Sequence, residues 1–366
     1  MRVLQLMKRS VLTLAAAGAV VSGCGDSSPD IPFNPAGTSA DLEAVNATFE
    51  SPIFASFSNL SLLFDAAVGA PMISASSAAM DLRAGTMAGL RAAAVRSAQR
   101  LTAIMPSASK ESLSASVAAI PAEIAGKTFV YDVGTSAYVV SDLPPLASNK
   151  VRFMLYALDP VTFAPAQPLV EAGYVDITDL SSGSTSAARV EVISGTTTYL
   201  DYTVSVTSTT SSGRVSMFGF ITDGTNRATI NLRSTLTFSA GLTLTYSIDV
   251  PTRDVSIDLT MSTSGFDPET GAIEIWLDMR GPNGWIALSG EFTTSGGTLS
   301  VRNNGDLFAT ITFSGGSEPV ITGAGGQPLT DEEVEALGGI FDLTGEAFTS
   351  FDQLFAPVGG FLQPAT

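Results

Sequence analysis

The chain has 366 residues, of which 45% are hydrophobic, a proportion that is ample for a buried core. It carries 18 basic and 35 acidic residues, a formal net charge of -17 that repels phosphate backbones, so we expect no nucleic-acid partner. It contains no histidine and one cysteine, which excludes Ser-His-Asp and Cys-His catalysis and His-ligated zinc; we expect no enzyme, no cofactor and no metal.

Residues 1–23 have the pattern of an export signal. Arg2, Lys8 and Arg9 form a charged beginning, and the apolar run over residues 11–21 follows. This run is too short to span a bilayer, which takes about 20 apolar residues, but it suits the core of a signal peptide. Its removal would take away three basic residues and leave a formal charge of about -20.

The residues Val21, Ser22, Gly23 and Cys24 end this segment, and together they resemble the lipobox of bacterial lipoproteins. The resemblance implies that Cys24 is the site of lipid attachment and that the lipid anchors the mature protein to a membrane. In such proteins an Asp directly after the Cys favours the inner membrane. Because Gly25 holds that place, the resemblance favours the outer membrane of the cell envelope. The alternative is an ordinary cleaved signal with a buried or chance cysteine.

A composition rich in Ser, Pro, Asp and Gly predicts a flexible tether over residues 24–38. Apolar residues at three- and four-residue steps then predict a helical segment over residues 39–121. Within it, Ser51 and Pro52 are suited to be the N-cap and first residue of a helix. The apolar face of that helix comprises Ile53, Phe54, Phe57, Leu60, Leu63 and Phe64.

Two further helices are predicted over residues 77–104 and 110–120. The first of them carries the densest basic cluster of the chain, and its spacing scatters the side chains around the helix. We interpret the cluster as a solvated or acid-pairing surface in preference to an anion site. Its members are Arg83, Arg91, Arg96 and Arg100.

From residue 122 to residue 322, apolar and polar residues alternate, with Gly, Asn, Asp or Pro about every ten residues. This pattern predicts about a dozen antiparallel strands, joined by turns such as 223–224, 282–284 and 304–305. So many strands must curl or close to hide one apolar face. The predicted fold is α+β and β-dominated: a large curved antiparallel β-meander (half-barrel, barrel or two-layer sandwich) with an N-terminal helical segment and a C-terminal helix packed on it.

A Gly-rich linker over residues 323–328 leads to a helical tail over residues 329–366. Thr330 and Glu333 have the spacing of a capping box, which predicts that the helix starts there. The tail is too apolar to be left in water and should dock on the sheet or on a partner. The residues concerned are Phe341, Leu343, Phe348, Phe351, Leu354 and Phe355.

Acidic residues surround one of the predicted turns, in the order Asp267, Glu269 and Glu274. The pattern around Pro268 and Gly271 is typical of a hairpin turn, which is the interpretation we prefer. The alternatives are oxygen ligands for calcium and the paired acids of a glycoside hydrolase.

A set of large aromatic residues falls on the nominally polar face of the predicted sheet. Trp276 lies between Glu274 and Asp278 in one strand, and Trp285 and Glu291 have the same phase in the next strand. If the two strands pair, the tryptophans should be near enough to touch diagonally. Other aromatics with the same phase are Phe218, Phe220 and Phe308.

This aromatic face is either a second core under helices or a surface that binds a lipid, glycan or peptide. The leading hypothesis is a lipid-anchored cell-envelope protein without enzymatic activity whose curved β domain binds an apolar ligand or a partner protein. Its predicted architecture loosely resembles the half-barrels with helical plugs of lipid-binding lipoproteins. The alternatives are a structural or surface-assembly scaffold and a carboxylate-based hydrolase of glycans that uses Glu274 and Asp278.

Overall fold

The computed structural model describes residues 32–49, 51–60, 98–99, 101–102, 119–264, 271–314 and 319–362, and it describes no side chains for 341–352 and 360. These residues belong to one unit that begins at Pro32. The predicted export signal and Cys24 lie outside the described residues.

The first helix, α1 (Pro35–Thr48), begins earlier than predicted. The Asn34 side chain caps it by accepting a hydrogen bond of 3.0 Å from the Gly37 backbone N–H. Proline occupies the first helical position, where its missing N–H costs nothing. The predicted tether over residues 24–38 therefore extends too far, because Asn34 and Pro35 already form a helix start.

The second helix, α2 (Pro52–Ser58), confirms the predicted cap. The Ser51 Oγ accepts a hydrogen bond of 3.3 Å from the Phe54 N–H. The predicted apolar face is buried where it is described, at Ile53, Phe54, Phe57 and Leu60.

Most of the remaining predicted helical segment lies outside the described residues, including Leu63, Phe64 and the four arginines. The described part contains helical residues at 98–99 and 101–102. Of these, Ala98 and Leu101 are buried in the hydrophobic core.

Within the described residues, segments of alternating apolar and polar side chains form 15 strands in one sheet. They are β1 Thr128–Asp132, β2 Ala137–Val140, β3 Lys150–Tyr156, β4 Glu171–Asp179, β5 Thr185–Ser194, β6 Thr197–Ser208, β7 Ser212–Thr222, β8 Arg227–Thr237, β9 Gly241–Val250, β10 Val255–Thr263, β11 Ile273–Gly281, β12 Gly284–Thr293, β13 Gly296–Asn303, β14 Asp306–Ser314 and β15 Val320–Gly323.

From β3 to β15 each strand pairs antiparallel with the next, as predicted for a meander. The exception is at the start, where β1 forms a hairpin with β2 and then pairs parallel with β3. The sheet is curved and does not close, since β2 and β15 are its two edges. The α+β fold with a curved β-meander is thus confirmed in its open form.

The predicted turns form where Gly and Asn can adopt the backbone conformation that a tight turn requires. In the turn between β13 and β14, both Asn304 (φ 50) and Gly305 (φ 99) adopt positive φ. This is the backbone of the two-residue hairpin turn whose twist suits paired strands, and few other residues tolerate it. Gly281 pairs with Gly284 across the two-residue turn between β11 and β12.

Each strand buries every second side chain on what we call the inner face and leaves the others on the outer face. Helix α2 packs on β3 to β6, and α1 contacts β8. The long helix α3 (Asp331–Gly359) packs on both α1 and α2. The helices therefore lie on the inner side and share one core with the sheet.

The start of α3 confirms the predicted capping box. The Thr330 N–H donates to Glu333 Oε2 (2.8 Å), and the Glu333 N–H donates to Thr330 Oγ1 (3.2 Å). Of the predicted apolar tail, Leu354 and Phe355 are buried in the core, and the other four side chains lie outside the described ones.

The predicted linker is shorter than expected, because Gly323 ends β15 and a short 3₁₀ turn follows it. The 3₁₀ segments are Pro251–Arg253, Ala324–Gly326 and Gly360–Leu362. None of the described helices has the length and apolar character needed to cross a membrane.

Candidate functional site

The predicted phase of β11 is correct. Ile273, Ile275, Leu277 and Met279 are buried on the inner face. Glu274, Trp276 and Asp278 therefore lie on the outer face. Trp285 of β12 lies on the same face, because it pairs with Arg280 of β11.

The predicted contact between the two tryptophans is wrong. Trp276 pairs with Ser289, whereas Trp285 pairs with Arg280. The rings thus start from positions four residues apart along the strands, about 13 Å at the usual rise. The tight turn at Pro282 and Asn283 sets this register by pairing Gly281 with Gly284.

Trp285 is held by polar neighbours. Its Nε1 donates a hydrogen bond of 2.6 Å to Asp278 Oδ1. The guanidinium of Arg280 lies 5.3 Å from the centre of its ring, a cation-π distance. Trp285 is therefore fixed between Asp278 and Arg280, and it is only partly exposed.

Trp276 is the more exposed tryptophan. Its direct neighbours across the sheet are Thr260 of β10 and Ser289 of β12, whose short side chains cannot cover an indole. Trp276 retains 46% of its accessible surface. In the part of the chain that the structure describes, the helices pack on the opposite side of the sheet, so this aromatic is not part of a second core.

Carboxylates flank Trp276 on both sides along the strand. Asp278 lies directly opposite Asp258 of β10, and Glu274 lies directly opposite Glu291 of β12. We call Trp276 with these four acids the Trp276 patch. Within the described residues, no lysine or arginine forms an ion pair with any of the four.

Sequence reasoning placed Glu291 on the same face as the two tryptophans, but it included neither Glu291 nor Asp258 among the candidate site residues. The alternation of apolar and polar residues does predict the face of the strand on which each of these two acids lies. Which residue faces which across the sheet depends on the register between strands, and the alternation is equally consistent with several registers.

Phe308 does not belong to the outer aromatic face, contrary to the prediction. A β-bulge opposite Val301 and Arg302 interrupts the alternation of β14 at this residue. The Phe308 ring instead lies 4.7 Å from that of Phe33, and both pack against the core.

The two other predicted aromatics lie on β7, at different degrees of exposure. Phe218 is 62% exposed. Phe220 is covered by the guanidinium of Arg227, 3.6 Å from its ring centre. The exposed aromatics of the outer face are therefore separated and do not form one continuous groove.

The geometry argues against the proposed hydrolase pair. Glu274 and Asp278 are four residues apart on one strand, about 13 Å by strand rise, whereas paired glycosidase carboxylates lie about 5 to 9.5 Å apart. Among the described residues, no group of three or more acidic or thiol side chains is placed to hold a metal ion. Asp267 and Glu269 lie outside the described residues.

A second cluster on the outer face contains a buried acid whose charge is paired with two bases. Asp176 of β4 is 3% exposed. It accepts two hydrogen bonds from Arg152 (2.6 and 2.8 Å) and one from Lys150 (3.0 Å). Burial alone would raise the pKa of Asp176, but these donors outweigh it and the pKa is lowered.

Acids on the neighbouring strands are also paired with a base. Arg189 forms ion pairs with both Asp201 (2.8 Å) and Glu191 (3.0 Å). The hydrogen bond to Asp201 raises the pKa of Arg189. The acids of the Trp276 patch differ from these, since their described contacts include no cation.

The fold and the surface together define an α+β protein with an open, curved 15-stranded sheet, helices on its inner face and a polar outer face that carries exposed aromatics. No family model, curated protein or solved structure matches the chain.

Proposed function

We propose that this chain is a lipid-anchored cell-envelope protein without enzymatic activity. A lipid on Cys24 would attach it to the outer membrane in preference to the inner membrane. In this proposal the outer face of its sheet binds a partner protein. The observation that carries it is the exposed Trp276 on a sheet whose inner-face side chains are buried within the chain's own core.

The anchor is supported by the lipobox-like residues that end at Cys24 and by the way the folded unit begins. Phe33 packs on Phe308, and the Asn34 Nδ2 donates to the Asn283 Oδ1 (3.1 Å). The chain between Cys24 and Pro32 spans at most about 30 Å when fully extended. A lipid on Cys24 would thus keep the sheet within reach of a bilayer surface.

Binding at the outer face is favoured over an apolar ligand held inside the curved sheet. Phe57, Leu60 and Leu354 are buried on the inner side, where they belong to the same core as the strands. The inner face therefore already has apolar partners from this chain. On the outer face, the described neighbours of Trp276 leave nearly half of its surface exposed.

The anchor is tested by comparing the wild type with Cys24→Ser. We expect the wild type to fractionate with membranes and to have the mass of an acylated polypeptide, because two or more acyl chains give stable anchoring. The Cys24→Ser variant should be released into the soluble fraction. Fractionation and intact-mass spectrometry measure these two properties.

Ser27→Ala, a change of similar size close to the same residue, serves as the control and should remain with membranes. An unacylated wild type, or a Cys24→Ser variant that still sediments with membranes, would show that the proposed anchor is wrong.

A further inference from the structure

The Trp276 patch carries like charges where a sheet normally avoids them. Asp258 faces Asp278 and Glu274 faces Glu291, and like charges directly opposite one another destabilise a strand pair. The nearest base along β11 is Arg280, which lies over Trp285. The Ser262 hydroxyl donates to Glu274 (3.2 Å), which satisfies a lone pair without neutralising the charge.

Two interactions would stabilise a cation bound on this surface. The exposed face of an indole attracts ammonium and guanidinium groups, and Trp is the best side chain for this interaction. The paired carboxylates add Coulomb attraction and lose their mutual repulsion when a positive charge lies between them. Both effects favour a positively charged partner.

We propose that the Trp276 patch binds an extended polypeptide segment that carries lysine or arginine at alternate positions. This inference rests on the proposed function, since it names the chemistry of the partner that the outer face would bind. The chain's own charge of -17 adds long-range attraction for such a segment.

The spacing favours a polypeptide over a single small cation. The two carboxylate pairs lie on either side of Trp276, about 13 Å apart along β11, so one ammonium group cannot reach both. In an extended chain, alternate side chains point the same way at intervals of about 6.6 Å. A segment lying along β11 would place successive cations at one carboxylate pair, at the indole and at the other pair.

The test uses the full mature protein with Trp285→Phe, which removes the hydrogen bond to Asp278, keeps its charge and leaves Trp276 as the one tryptophan of the chain. The probe is a peptide of about ten residues with alternating lysine and serine, and the same peptide with acetylated lysines is the neutral control. We expect the lysine peptide to change Trp276 fluorescence in a saturable way, with an affinity that falls as salt is raised.

Calorimetry then measures the affinity of the lysine peptide for variants that retain Trp285, in order to locate the binding surface. We expect Trp276→Ser, and separately the pair Asp258→Asn with Glu291→Gln, each to weaken binding of the lysine peptide about fivefold or more. The matched controls are Phe218→Ser, an exposed aromatic on the same face, and Glu171→Gln, an exposed acid at the start of β4. Both controls should bind as the wild type does.

The inference is wrong if Trp276→Ser binds the peptide as tightly as the wild type, if the acetylated peptide binds equally well, or if acrylamide does not quench Trp276 in the free protein. Spermine is added as a competitor at the same concentration of positive charge. Efficient displacement of the peptide by spermine would assign the surface to small polyamines and would also show that the inference is wrong. Peptide binding and membrane fractionation are separate readouts, so failure of this inference is distinguishable from failure of the proposed anchor.

Discussion

At the scale of single residues, the outer face holds acids of two kinds. Asp176 is buried and receives three hydrogen bonds from two bases, whereas Asp258 is exposed and faces another acid. A buried charge costs free energy unless it is paired, so the bases around Asp176 are needed for the fold. The acids around Trp276 have no such partner among the described residues, which makes them available to an external one.

The contrast predicts opposite effects of the same chemical change. Asp176→Asn should lower the free energy of unfolding by about 2 to 3 kcal/mol, since it removes the negative charge that pairs Arg152 and Lys150. Asp258→Asn should be neutral or slightly stabilising, because it relieves repulsion of Asp278. Denaturant titration of both variants at neutral pH measures the difference.

The effect of Asp176 should also depend on pH. Its pKa is lower in the folded protein than the usual value of about 3.9, so its contribution is fully present above about pH 5 and is lost as the pH falls through the unfolded and then the folded pKa. The stability gap between wild type and Asp176→Asn should therefore shrink in acid. A gap that stays constant down to about pH 2 would contradict this explanation.

At the scale of elements, a short polar network joins the start of α1 to the turn between β11 and β12. Asn283 accepts a hydrogen bond from Asn34 and donates one of 3.1 Å to Asp41. A Cβ at Gly281 would lie 2.7 Å from the Asp41 Oδ2, so the helix approaches this turn closely. The network sets where α1 lies relative to the strands that carry the Trp276 patch.

Asn283→Ala removes both hydrogen bonds and should lower the free energy of unfolding by about 1 to 2 kcal/mol. Amide exchange in α1 should increase more than in the central strands, because the helix loses its polar attachment. Asn231→Ala, on the exposed outer face of β8, is the control and should change stability by less than about 0.5 kcal/mol. Uniformly increased exchange would indicate that α1 does not open separately.

At the scale of the whole molecule, one hydrogen bond connects the centre of the sheet to the last helix. The Tyr202 hydroxyl of β6 donates to the Leu354 carbonyl of α3 over 2.6 Å, and both residues are buried. The two residues are far apart in the chain, so the bond joins the sheet to the C-terminal helix. Burial raises the pKa of Tyr202, which keeps the hydroxyl protonated as a donor.

Tyr202→Phe should cost about 1 to 2 kcal/mol, because the Leu354 carbonyl is left without its donor in the interior. If sheet and helix unfold together, the denaturant dependence of unfolding should be unchanged and only the midpoint should shift. The control is Tyr199→Phe, a partly buried tyrosine on the same strand, which should be nearly neutral. A second unfolding transition for α3 would show that the helix is not part of the same cooperative unit.

The amino-acid sequence by itself determined the features that depend on neighbouring residues. The alternation of residues predicted the strands and their inner faces, and the pairs Ser51-Pro52 and Thr330-Glu333 predicted two helix starts correctly. Such signals are local, because a cap or an alternating face needs only residues within one turn or one strand.

The tertiary structure alone decided which residues face one another. It placed β1 parallel to β3, left the sheet open and separated Trp276 from Trp285. It also moved Phe308 to Phe33 through a bulge. These outcomes depend on turn geometry, on strand register and on contacts between residues that are distant in the chain, and the alternation of apolar and polar residues is compatible with more than one of each.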